Sequence, residues 1–129
     1  MEFHFVSNDE CDGLQGVATV IDVLRAFSSA AYALDAGVDH LVLMDDLDKT
    51  LELTRSIPGA LAGKEGVPAE GFDLFNSPGQ LLERRALEDR IIVHRTSAGT
   101  IGAMAARHAE LVFCSTSLWL ARPRSACAP

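Results

Sequence analysis

Residues 16–23 read GVATVIDV, a run of small and β-branched residues interrupted only by the carboxylate of Asp22. Valine, isoleucine and threonine are stiff at χ1 and fit a pleated strand. An apolar run of this kind predicts a strand buried on both faces, as in a parallel sheet. Residues 25–36 follow, rich in alanine with apolar residues at helical spacing, and Gly37 stands where a helix ends in left-handed backbone. A strand leading into a helix is the repeating step of an α/β fold.

The alternation continues outward. HLVLM at residues 40–44 predicts a second buried strand. Asp45 and Asp46 supply an N-cap for a helix to about Ser56, stopped by Pro58 and Gly59. Residues 60–62 suggest a short strand, and residues 63–76 a loop with three glycines and one proline. Ser77 and Pro78 form an N-cap and N1 pair that opens a helix to about residue 85. A strand at 90–94, a turn at 96–99, an alanine-rich helix at 100–108 and a strand at 111–114 complete the pattern. Before the opening stretch, residues 2–6 alternate and predict an edge strand, and residues 8–13 a loop. The whole predicts a three-layer α/β/α domain over residues 1–117, with a mostly parallel or mixed sheet. Residues 118–129 (LWLARPRSACAP) carry two prolines, two arginines and no periodicity. They read either as a frayed tail or as the product of a reading frame lost near Ser117.

Bulk properties bound the function. The 129 residues suffice for one domain, and 48% are hydrophobic. The net charge of −7 argues against nucleic acid and anionic membrane as partners, since both require a basic footprint. A small anion can still be held by a few local donors. Cys11, Cys114 and Cys127 fit no zinc or disulfide spacing and read as reduced thiols of a cytoplasmic protein. The first twelve residues are acidic and lack the basic flank and apolar stretch of a signal peptide, and no stretch is long and apolar enough to span a membrane.

Ligands of parallel α/β sheets bind beyond the carboxyl ends of the strands. The residues predicted there are Asp22 and Arg25, then Lys64 and Glu65, then Asp73, Asn76 and Ser77, then Thr96, Ser97, Gly99 and Thr100. Each has a plainer role. Asp22 caps a helix or holds a hard cation. Arg25 covers apolar surface with its stem or grips an oxyanion with its planar fork. Lys64 and Glu65 are solvated loop charges or ligands, and Asp73 and Asn76 stabilise a turn or join a site. Ser77 is first a structural cap. The small residues at 96–100 form either an ordinary strand-to-helix turn or an anion cradle. The four histidines form no ligand spacing, and His94 reads as a buried or edge residue before the turn. No Asp-x-Asp pair is expected after a strand, and there is no P-loop and no cysteine-phosphatase loop.

Four blocks, in order, resemble the 2-phosphosulfolactate phosphatase (ComB) family. They are Val20-Ile21-Asp22-Val23-Leu24-Arg25-Ala26, Gly63-Lys64-Glu65-Gly66, Glu70-Gly71-Phe72-Asp73-Leu74-Phe75-Asn76-Ser77-Pro78 and Arg95-Thr96-Ser97-Ala98-Gly99-Thr100. The resemblance runs to about Ser117. It implies a magnesium-dependent phosphatase acting on a small phosphorylated anion, such as 2-phospho-3-sulfolactate on the route to coenzyme M. It also implies Asp22, Glu65 and Asp73 as metal or water-activating residues, with Arg25 as a fourth catalytic residue. Arg25 and Asn76 would hold anionic groups, and Thr96, Ser97, Gly99 and Thr100 the phosphate. The family usually has Gly-Glu-Arg at the second block, Gly where Phe75 stands and Asn where Ala98 stands. Its chains are longer, so the fold is expected to be incomplete, with the likeness ending where the odd tail begins. The rival expectation is an inactive fragment or an anion-binding module without turnover, in which unpaired strand edges favour homo-oligomers.

Overall fold

The computed structural model describes residues 2–11, 13–83 and 87–117, with backbone alone for residues 82 and 83. Among the described residues, six strands and four helices follow a short 3-10 turn at Asn8–Glu10. In chain order they are β1 Val17–Ile21, α1 Ala26–Asp35, β2 His40–Met44, α2 Leu47–Ser56, β3 Leu61–Lys64, β4 Leu74–Phe75, α3 Pro78–Glu83, β5 Ile91–Arg95, α4 Gly99–Ala105 and β6 Leu111–Ser115. The unusual tail at residues 118–129 lies outside the described residues.

All strand pairings among the described residues are parallel. β2, β5, β3 and β4 form a four-stranded sheet in that order, and β1 pairs with β6 in a two-stranded sheet. The mostly parallel α/β architecture is therefore present. Along β5, side chains alternate between faces. Ile92 joins a core with Ala33 of α1, Leu81 of α3, Leu74 and Leu87, while α2 packs on β5, β3 and β2. Fully buried Val93 alternates with Ile92, so the four-stranded sheet has helices on both faces. A second cluster of Ala26, Phe27 and Ala103 packs α1 and α4 against Val20, Leu43 and Cys114, joining the two sheets.

Three expectations change. Residues 2–6 form no strand with any of the described residues, and Phe3 and Phe5 are exposed. Alternation in so short a terminal segment does not supply a partner strand. The loop expected at 63–76 contains the end of β3 and all of β4, a two-residue strand too short to leave a periodic signal. Finally, β1 is buried on one face only. Val20 packs inward, whereas Val17 and Ile21 are 65% and 68% exposed, beside Phe113 and Leu111 at 51% and 49%. Because both faces of GVATVI are apolar, its composition hides that asymmetry.

Local chemistry accounts for the helix boundaries. Asp46 caps α2 by accepting the Lys49 N–H at 2.9 Å. Gly37 adopts φ 89° just after α1, as a left-handed helix terminator requires.

Candidate active site

The carboxyl ends of β1, β3 and β5 meet at the turn that joins β5 to α4. Thr96 and Thr100 build this turn from within. The Thr96 N–H donates to Thr100 Oγ1 at 2.7 Å, and the Thr100 N–H donates to Thr96 Oγ1 at 3.0 Å. Both side chains are buried. Their hydroxyls thus lock the turn and face the interior, while Ser97 between them is exposed.

Glu65, just past β3, reaches this turn. Its Oε2 accepts from Ser97 N–H at 2.6 Å and from Ser97 Oγ at 2.6 Å. These two donors hold the Glu65 carboxyl below its usual range, and the positive charges of Arg25 and Arg95 act in the same direction. Arg25, exposed at the start of α1, and Arg95, at the end of β5, therefore lie near enough for Glu65 to feel their charges. Arg95 is also anchored by its Nε, which donates to the Asp45 carbonyl at 3.3 Å.

Asp22 closes the mouth on the other side. The Asp22 N–H donates to Ser115 O at 3.0 Å, continuing the β1–β6 ladder, and Oδ1 accepts the Ala26 N–H at 3.3 Å. A Cβ on Gly99 would lie 2.7 Å from Asp22 Oδ2 and 2.6 Å from the Ala26 Cβ. Only glycine admits this approach, and it brings the start of α4 against Asp22. Ser28 Oγ pairs with Thr116 Oγ1 at 2.7 Å, tying the start of α1 to the end of β6.

Asp22, Arg25, Glu65, Ser97 and Gly99 thus share one mouth, with Thr96 and Thr100 as its inner frame. Asp73 stands elsewhere. Its Oδ2 accepts the Ala62 N–H at 2.9 Å, and its own N–H donates to Ala62 O at 2.8 Å. It extends the β3–β4 ladder on the amino side of β4, upstream of Lys64 and Glu65. Among the described residues, no group of three or more His, Cys, Asp and Glu side chains is placed to hold a metal ion. Lys64 is held inside its own loop, donating to Val67 O at 2.8 Å. Asn76 is buried beneath the rim, its N–H donating to Lys64 O at 2.8 Å.

Arg95 was missed as a site residue. Its signal was its place at the end of an apolar strand, the same logic that singled out Asp22. Contrary to expectation, an Asp-x-Asp pair does follow a strand, Asp46-Leu47-Asp48 after β2. Asp46 is spent as the α2 cap. Beneath the mouth, burial pushes the His94 imidazole down to about 4, against a smaller upward pull from Glu65, so its ring is neutral at pH 7.

The family model for 2-phosphosulpholactate phosphatase matches residues 4–120. A probable 2-phosphosulfolactate phosphatase of Bacillus subtilis is 35% identical over 96 residues, covering 73% of this chain and 42% of that protein. Its counterpart in Deinococcus radiodurans is 38% identical over 101 residues, covering 74% and 42%. That of Carboxydothermus hydrogenoformans is 39% identical over 83 residues, covering 63% and 34%. The chain thus spans about two fifths of the length of the curated relatives it matches. With the family model matched along most of its length, the chain belongs to the 2-phosphosulpholactate phosphatase family.

Proposed function

We propose that this mouth binds and hydrolyses a small acidic phosphomonoester of the 2-phosphosulfolactate type, with Mg²⁺ as cofactor. The observation that carries the reading is the convergence of two carboxylates, Asp22 and Glu65, with two guanidiniums, Arg25 and Arg95, around the turn that carries Ser97. Phosphomonoester hydrolysis is among the slowest uncatalysed reactions, requiring accelerations of up to ~10²¹, so several charges must act together.

The arginines would each grip an anionic group through paired N–H donors. Two such forks suit a substrate bearing a second acid besides its phosphate. Ser97 would hold the Glu65 carboxylate in position through its N–H and Oγ. Asp22 and Glu65 would hold the magnesium ion, which needs only one or two carboxylates beside phosphate oxygens and water. When bound, that ion supplies charge neutralisation and an oriented water. Asp73 would remain a tie between β3 and β4.

The test is phosphate release by the 129-residue chain from phosphorylated 2-hydroxyacids, 2-phosphosulfolactate among them, with and without Mg²⁺. Release that requires Mg²⁺ and disappears in Asp22→Asn supports the proposal. A folded chain that binds these compounds without turnover points instead to an anion-binding module. A folded chain that neither binds nor hydrolyses them overturns both.

A further inference from the structure

Lys64 is the last residue of β3 and Arg95 the last of β5, and the two are partners across the parallel ladder. Ladder partners carry their side chains on one face of the sheet. Two cations therefore stand in adjacent positions at the carboxyl rim, an arrangement in which like charges repel. Each directly precedes a residue of the mouth, Glu65 after Lys64 and Thr96 after Arg95.

No carboxylate offsets this repulsion at close range. Among the described residues, the only ion pairs join His4 to Glu2 and His40 to Asp39. Lys64 Nζ donates to Val67 O at 2.8 Å and lies 5.8 Å from the centre of the Phe72 ring. Arg95 donates through Nε to the Asp45 carbonyl at 3.3 Å. The two heads thus lean apart, one towards the loop after β3 and the other towards the end of β2. An ammonium has three donors and a guanidinium five, so most of these donors have no acceptor among the described residues. Glu65, which feels the charge of Arg95, gives its Oε2 to the two donors of Ser97.

We propose that Lys64 determines specificity in the reaction proposed above, forming with Arg95 a subsite for the second acidic group of the phosphomonoester, a carboxylate or a sulfonate. The inference rests on that reading. Neighbouring strands lie about 4.8 Å apart, and both side chains are longer than this, so one oxyanion can lie between ammonium and guanidinium. A carbonyl orients each head but leaves its charge in place, whereas an oxyanion cancels it. The planar fork of Arg95 takes two oxygens, and the ammonium of Lys64 adds a compact point charge beside them. Arg25, three residues after Asp22, is left for the phosphate. The pair gives the chain a means of telling an acid-bearing monoester from one whose second group is apolar.

Titration calorimetry of the full chain with three esters tests the assignment: 2-phosphosulfolactate, 2-phospholactate, and 2-propyl phosphate, in which a methyl replaces the acid. Lys64→Gln keeps a donor for Val67 O and removes the charge. It should weaken binding of the two acid-bearing esters roughly tenfold, the worth of one charge-assisted contact, and that of 2-propyl phosphate far less. Lys64→Arg should restore the preference. A loss on one acid alone supports the subsite and names its acid. Unchanged affinity for both acid-bearing esters, or an equal loss on all three, overturns it. Two cases call on the ¹⁵N shifts of Lys64 Nζ and Arg95 Nε in the wild-type chain. If Lys64→Gln fails to fold, both shifts must move on adding 2-phospholactate, and an unmoved Lys64 overturns the subsite. If the wild-type chain binds no ester, the reading above has failed. Phosphate-free sulfolactate and lactate then serve as probes: saturable movement of both shifts with either supports the anion subsite, and no movement overturns it.

Discussion

Glu65 and Ser97 are joined twice, through the Ser97 N–H and the Ser97 Oγ, both at 2.6 Å from one carboxylate oxygen. The pair fastens the loop after β3 to the turn after β5. Removing the hydroxyl in Ser97→Ala leaves a single donor, and the Glu65 carboxyl should then titrate at higher pH than in the parent. Because the folded-state value is depressed, the pair stabilises the fold at neutral pH, and that contribution is lost as pH falls through the folded value. The variant should therefore lose less stability on acidification. Carboxyl ¹³C shifts of Glu65 against pH measure the first effect, and urea unfolding at neutral and acidic pH the second. An unchanged Glu65 titration would contradict the assignment.

His94 makes the mildly acidic range, above that of Glu65, informative as well. Burial holds its imidazole at about 4, whereas the unfolded chain has the ordinary value of 6.5. The unfolded state therefore binds the extra proton first. Stability is complete above pH 6.5 and falls as pH drops from there towards 4, by up to about 3 kcal/mol. His94→Gln should flatten this slope in urea melts recorded across the interval. A wild-type slope that survives the substitution would assign the effect to another group.

Gly99 should tolerate no side chain. In Gly99→Ala the new methyl would sit 2.6 Å from the Ala26 Cβ and 2.7 Å from Asp22 Oδ2. Overpacking of this kind costs about 1–3 kcal/mol. Denaturant midpoints should fall accordingly. Gly79, where the nearest atom to an added Cβ is 4.0 Å away, is the control for steric clash in Gly79→Ala.

The two arginines separate binding from folding. Arg25 is exposed, and Arg95 lies at the surface end of β5, so replacing either by glutamine should leave the unfolding transition within about 0.5 kcal/mol of the parent. Under the proposed function, each change should weaken binding of a doubly acidic phosphomonoester roughly 10–100-fold, the worth of one charge-assisted contact. Titration calorimetry with substrate or product would show it, and undiminished affinity in both variants would remove the arginines from the site.

The strand-and-helix alternation was legible because buried parallel strands and alanine-rich helices leave strong local patterns. β2 begins and ends where HLVLM does, and Asp46 caps α2 as its position suggested. Asp22 and Glu65 could be named because each ends an apolar strand, and Arg95 obeyed the same rule unnoticed. What could not be read was pairing. β4 has two residues and owes its existence to β3 alongside it. Asp73 occupies a promising loop by sequence, yet its ladder to Ala62 is a contact between residues eleven apart. Likewise, the roles of Thr96 and Thr100 depend on which way their hydroxyls turn. Composition permits an anion cradle, while the folded turn spends both hydroxyls on its own backbone.

The two-stranded β1–β6 ribbon has one wet face, and that has a dynamic consequence. Few apolar contacts guard its amides, so they should exchange with solvent sooner than those of β5, which lies between β2 and β3. Asp22 rides on this looser ribbon, while Glu65 and Arg95 ride on the firmer sheet. A ligand gripped by all three would act as a clasp between the two bodies, and slower amide exchange along β1 would be its signature.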